Sequence, residues 1–261
     1  MAFDRTLVQI RERSYLDSLD LALVVIRHRP LTIALAALLG IVPWALINSW
    51  ITAHAEAMRA FLHLYLIVLE APLATAPLTI VLGSLMVGTR PRPRQVAVSI
   101  FRQIGPLLIY QVSLRSLLIG SVVLAWLVPT RLAFLNEIVL LERGKWWKVW
   151  SRCTDLSSER GGDLFGQWMA QVFFGSLFVV AFWIATSQVV GVLEGELTWG
   201  YSDWDFVFNT PTWVGVWIAV AFFAVVRFLS YIDQRIRLEG WEVELRLRAV
   251  GRTMREESDS W

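Results

Sequence analysis

AWLVPTRLAFLNEIVLLERGKWWKVWSR, residues Ala125 to Arg152, holds the ambiguity on which the threading of this chain depends. It opens as the end of one apolar run, breaks at Pro129, and carries Arg131, Asn136 and Glu137 into a second, shorter run. It then empties into a basic segment in which Arg143, Lys145, Lys148 and Arg152 surround Trp146, Trp147 and Trp150. A straight helix needs about 20 apolar residues, at 1.5 Å each, to cross the hydrocarbon core. Residues 129–141 fall short of that length. They cross only if tilted, kinked at Pro129, or begun earlier near Gly120–Ser121; otherwise they re-enter on the side they left.

The rest of the chain says in what solvent this question is posed. Of 261 residues, 56% are hydrophobic and 18% charged, and the mean hydropathy is +0.54. A soluble domain is nearer a quarter charged. The apolar excess is gathered in long runs, which predicts an all-α, polytopic membrane helical bundle with the lipid bilayer as its first partner. The runs are residues 30–51, 61–87, 104–128, 129–141, 164–190 and 213–230, giving an expectation of about six transmembrane helices within residues 30–230. Glu70, Pro72 and Pro77 interrupt the second run, and each proline frees a backbone carbonyl that neighbours must satisfy.

Charge sets the expected orientation. Lys and Arg number five in residues 1–29, four in 88–103, five in 142–163 and six in 231–261, against one in 52–60 and none in 191–212. The positive-inside rule places the four basic regions, and so both termini, in the cytoplasm of a cell whose inner membrane the chain spans. That alternation closes only if residues 103 and 142 lie on the same side. Most of the 14 tryptophans fall near the ends of the runs, as an interfacial aromatic belt requires.

Both ends are expected to carry amphipathic helices. In residues 1–29, Leu16, Leu19, Leu23 and Ile26 share a helical stripe, which suits a helix lying on the membrane surface or on the protein's own loops. No short apolar core followed by a small-residue cleavage site occurs here, so the first run is expected to stay as an anchor. Residues 231–261 continue the last run as a cytoplasmic helix. Asp233–Arg237, Glu242–Arg246 and Glu244–Arg248 are acid-before-base pairs four residues apart. Its residues Arg235, Arg237, Glu239, Trp241 and Glu244 are the candidate surface for a protein partner on the cytoplasmic face.

No enzyme signature is found: the chain has no nucleophile elbow, zinc-binding HExxH or phosphate-binding glycine loop. The single cysteine, Cys153, and three histidines at no ligand spacing predict neither a disulfide nor a metal, and no cofactor is expected. A net charge of +2 without a recognition motif gives no reason to expect nucleic acid as a partner. What remains is a set of polar residues inside apolar runs: Glu70, Arg115, Arg131, Asn136 and Glu137. An unpaired charge in the bilayer costs at least about 2.5–3.5 kcal/mol, so such groups pair with one another or face a polar cavity. Glu70 with Arg115, and Arg131 with Glu137, are the expected pairs, making either a structural lock or an intramembrane polar site. The functional expectation is a non-enzymatic scaffold or regulator in the membrane, with a small transporter or lipid-handling protein as the alternative.

Pro129 ending an apolar run, a short helix with Arg131, and LLERGKWWKVWSR (Leu140 to Arg152) leading into another run together resemble a group of uncharacterised bacterial six-helix integral membrane proteins. That group is similar to the membrane domain attached to some glycerophosphodiester phosphodiesterases. RIRLEGWEVELRLRA, Arg235 to Ala249, is similar to the ending of the same group. The chain departs from the usual pattern at Pro129–Thr130 and Arg152–Cys153, and no catalytic barrel is present. The resemblance therefore implies a fold and no activity.

Overall fold

Pro30 starts the first long helix at no hydrogen-bond cost, because the backbone N–H it lacks would have had no intrahelical acceptor at that position. The computed structural model describes residues 15–53, 59–86, 93–109, 115–121, 127–142, 146–158, 160–195 and 210–239. Among the described residues there is no strand, and the helices run α1 (Tyr15–His28), α2 (Pro30–Thr52), α3 (Arg59–Ala74), α4 (Ala76–Met86), α5 (Pro93–Leu107) and α6 (Arg115–Gly120). They continue as α7 (Leu127–Arg131), α8 (Leu135–Glu137, prolonged by a π-helical turn at Ile138–Glu142), α9 (Trp146–Ser158), α10 (Gly161–Glu194) and α11 (Thr210–Glu239).

Four helical stretches are long and apolar enough to cross a membrane: Pro30–Thr52, Phe61–Met86, Gly161–Leu193 and Thr210–Leu238. The chain is a multi-pass, all-α membrane protein. The second of these stretches is α3 and α4 joined at Thr75, where Pro72 and Pro77 bend the axis. The Thr75 hydroxyl donates to the Ala71 carbonyl at 2.7 Å, and that of Thr79 to the Thr75 carbonyl at 3.2 Å, so threonines bind backbone oxygens at the bend.

Burial divides the four. The Phe61–Met86 stretch is the axis of the bundle, with 72% of its apolar window buried. By contrast only 6% of the window in α10 is buried, and Leu177, Val189 and Leu193 stand outward with other apolar residues. An all-round apolar helix with so little burial is solvated by lipid. At 1.5 Å per residue α10 is about 50 Å long, so it tilts or projects beyond a core of roughly 30 Å. Gly195 ends it in the left-handed conformation (φ 78°), which only glycine adopts without strain.

The middle of the chain departs from the sequence reading. Neither 104–128 nor 129–141, expected as the third and fourth crossings, contributes a helix of spanning length among the described residues. Where described, this region is a series of short helices, with Gly120 the last residue of α6 and Pro129 inside α7. The Pro129 to Leu140 segment is buried inside the protein: Phe134, Leu135, Ile138, Val139 and Leu140 are all under a tenth exposed. They pack with Leu78, Leu82, Val225, Phe228 and Tyr231 of α4 and α11 in the main core. Irregular and π-helical backbone survives at such depth only when protein surrounds it. α1 packs against α11 and α2, but its stripe is divided: Leu19 and Ile26 face the core while Leu16 and Leu23 are exposed.

Candidate functional site: an arginine-lined pocket

Glu137 is completely buried, which it tolerates only because a cation reaches it. That cation is Arg227 of α11, whose Nε donates to Glu137 Oε1 at 2.7 Å, and not Arg131. The Arg131 side chain is exposed, and what the fold uses is its backbone carbonyl, which accepts the Cys153 thiol at 3.1 Å. Burial first, and then the negative charges of Glu137 and Glu142, push the Cys153 thiol up to about 12 against the pull of the Phe134 backbone. Cys153 is therefore an inert thiol in the folded chain.

Around the Arg227–Glu137 pair the helices leave a cavity of about 170 Å³. Arg115 from α6, Asn136 from α8, Gln167 and Gln171 from α10, and Arg227 and Ser230 from α11 supply its polar lining, with Pro72, Pro129 and Leu135 among its apolar walls. The local sequence explains the placement. Arg115 opens α6, and Asn136 and Glu137 form the single turn between the Leu132–Phe134 bend and the π-helical turn, so their side chains point inward where α7, α10 and α11 meet.

Four groups at this place lack partners. Asn136 is 2% exposed, yet neither its amide nitrogen nor its oxygen makes a hydrogen bond. Arg115 Nε, Arg227 Nη2 and Glu137 Oε2 are likewise buried and unbonded. Arg115 and Arg227 lie within electrostatic reach of each other, and Glu137 neutralises only one of them. The pocket thus holds an excess of positive charge with hydrogen-bond capacity to spare.

A second cavity, of about 430 Å³, adjoins the first and shares Leu164, Gln167 and Ser230 with it. The Ser230 hydroxyl donates to Gln167 Oε1 at 3.1 Å across this common wall. The larger cavity is lined by Tyr15, Ser18, Arg160, Asp163, Asp233 and Gln234. Its charges are mutually engaged: Arg160 pairs with Asp163 at 2.7 Å, and Asp233 with Arg237 at 2.9 Å.

Of the five candidate intramembrane residues, the fold brings Arg115, Asn136 and Glu137 together and leaves Glu70 and Arg131 elsewhere. Glu70 is buried beside Asn48 of α2, with its Oε2 unbonded, and among the described residues no ion pair joins it to Arg115. Arg227 escaped the sequence reading, although it is the one charged residue of the Trp213–Ser230 run. On the prospective docking helix, Arg235 lies 3.9 Å from Glu142 Oε1, and Arg237 is held by Asp233. Glu142 also accepts from Tyr231 at 2.8 Å and from Arg152 at 3.1 Å, tying α9 and α11 to the π-helical turn. Glu239 is the last residue of α11, while Trp241 and Glu244 lie outside the described residues. Among the described residues no cluster of His, Cys, Asp and Glu could hold a metal ion.

Compared with known proteins, the chain matches no family model, no curated protein and no solved structure.

Proposed function

We propose that this chain is a non-enzymatic protein of the bacterial inner membrane that binds a polar solute or lipid headgroup between its helices, as a small transporter or lipid-handling protein does. The observation that carries this reading is the pocket lined by Arg115, Asn136 and Arg227, with Glu137 paired to Arg227 behind it: a neutral lock would need one arginine and the protein supplies two. A lone structural ion pair leaves no cavity and no orphaned amide; here there are both.

The threading that accompanies this reading has four crossings, with residues 93–158 returning to the side from which they came. It keeps both termini and the basic segments 88–103 and 142–163 in the cytoplasm, as the distribution of Lys and Arg requires. A role as a scaffold docking a cytoplasmic partner along Arg235 to Glu244 has less support, because Arg235 and Arg237 are already engaged within the chain.

Accessibility of the pocket tests the reading. Asn136→Cys, in native membranes, is expected to react with a charged methanethiosulfonate, and faster with the anionic ethylsulfonate reagent than with the cationic ammonium one. The native Cys153 stays silent because it is buried and protonated. Reaction of Asn136→Cys only after denaturation would mean a sealed structural lock and no binding site.

A further inference from the structure

The geometry points to a specific chemistry for the ligand: we infer that the pocket between α6, α8, α10 and α11 receives a single phosphate group, held by Arg115, Arg227 and Asn136 and admitted past the Gln167–Ser230 hydrogen bond. The inference rests on the pocket being a binding site at all and adds what binds there and by which route.

Charge is the first argument. Arg115 and Arg227 converge on one cavity, while among the described residues the one carboxylate paired with either guanidinium is Glu137. In a low-dielectric interior this surplus is unfavourable until an anion enters. The acidic residues nearest along the chain do not supply it. Glu142 is occupied by Tyr231 and Arg152, while Asp163 and Asp233 face the neighbouring cavity, paired with Arg160 and Arg237.

Donor geometry is the second. Arginine forks match the oxygens of phosphate and carboxylate, giving charge-assisted hydrogen bonds about twice as strong as neutral ones. Asn136, almost fully buried and without any partner, lines the cavity and has both donors to give. A tetrahedral oxyanion can accept from two forks and an amide at once, whereas a carboxylate, with its two oxygens in one plane, serves them less completely. The volume agrees: a cavity of about 170 Å³ has room for such a group.

Access is the third. The cavity of about 430 Å³ meets the arginine pocket at Leu164, Gln167 and Ser230, the last two joined by a hydrogen bond of 3.1 Å. A neutral, single hydrogen bond between side chains on two long helices is a barrier that rotamer changes open. Trp168, exposed on the same turn of α10 as Gln167, also lines the arginine pocket at the lipid-facing side. The phosphate therefore belongs either to a soluble ion entering through the larger cavity or to a phospholipid whose chains remain outside.

The experiment is thermal unfolding of the full chain in phosphatidylcholine nanodiscs, with three additions: millimolar inorganic phosphate at constant ionic strength, a tenth of phosphatidic acid in the lipid, and millimolar acetate as a carboxylate control. A ligand that binds the folded state raises Tm, by a few degrees for each tenfold of concentration beyond Kd. The expected result is a rise with phosphate or phosphatidic acid that is lost in Arg115→Gln. In the absence of anion, Arg115→Gln is expected to melt at a temperature equal to or above that of the unsubstituted chain, since it removes a buried like charge. A residue with a merely structural role would lower it. Asn136→Ser serves as a second variant that keeps both arginines and is expected to weaken the response several-fold. A response to phosphate alone assigns a soluble ion, and one to phosphatidic acid alone assigns a lipid. A rise with acetate but neither phosphate probe would overturn the phosphate assignment and leave the binding pocket standing. No rise with any probe, or an equal rise in Arg115→Gln, would overturn the inference outright, and the cysteine reaction at Asn136 then decides separately whether the pocket is open.

Discussion

Glu137 and Arg227 show how much a single pair decides. The carboxylate is fully buried, and the pair spans 90 residues of sequence to fasten the central segment to the last long helix. Removing either partner alone strands the other charge, which costs about 3–5 kcal/mol in buried pairs. Glu137→Gln and Arg227→Gln are each expected to destabilise the fold by that order, and the double variant by much less than the sum, as urea unfolding in detergent would show. Arg131→Gln, on an exposed side chain, should shift stability by no more than about 0.5 kcal/mol. Additive costs at 137 and 227, or a large cost at 131, would contradict the observed pairing. The sequence makes Glu137 conspicuous because it sits in a short, broken apolar run. It hides Arg227, whose run is long enough to read as an ordinary span, and snorkelling would excuse an arginine near such an end. Hydropathy ranks residues one at a time, and pairing is a property of two helices.

At the level of helices, what was legible follows from which medium each helix meets. α2, α10 and α11 lie where their apolar runs predict, because each presents apolar surface to lipid over enough residues to cross. The stretch from Pro93 to Glu142 is different. From Leu132 to Leu140 its apolar residues are largely buried in protein, and to a hydropathy scale a side chain in a protein core and one in lipid look alike. The contact between α2 and the bend of α3–α4 also has no signature beyond a glycine: a Cβ at Gly40 would overlap the Ala74 carbonyl oxygen and touch Pro77. Gly40→Ala is expected to destabilise by about 1–3 kcal/mol, the usual cost of overpacking. Gly105→Ala, with nothing within 4 Å of the added methyl, should be neutral or gain up to about 1 kcal/mol of helix propensity. Equal effects at the two positions in a thermal melt would mean that α2 does not seat closely against the bend.

For the whole molecule, the arrangement is a buried axis, the Phe61–Met86 stretch, flanked by helices that turn large apolar faces outward. A group of short helices packs against α4, α10 and α11. The composition announces the membrane and the helices at once. It does not announce how many times the chain crosses, since four and six crossings satisfy the same count of Lys and Arg. The polar pocket depends on this count: Arg115 and Asn136 meet Arg227 only if the central segment folds back into the bundle. The direct test is impermeant maleimide labelling of single cysteines in intact cells and in inverted vesicles. Ser121→Cys is compared there with Ala97→Cys in α5 and Asp205→Cys in the link between the last two long helices. Labelling of position 121 from the same side as 97, and opposite to 205, is the result predicted by four crossings with a returning central segment. Labelling of 121 from the side of 205 would restore six crossings and pull the arginines apart.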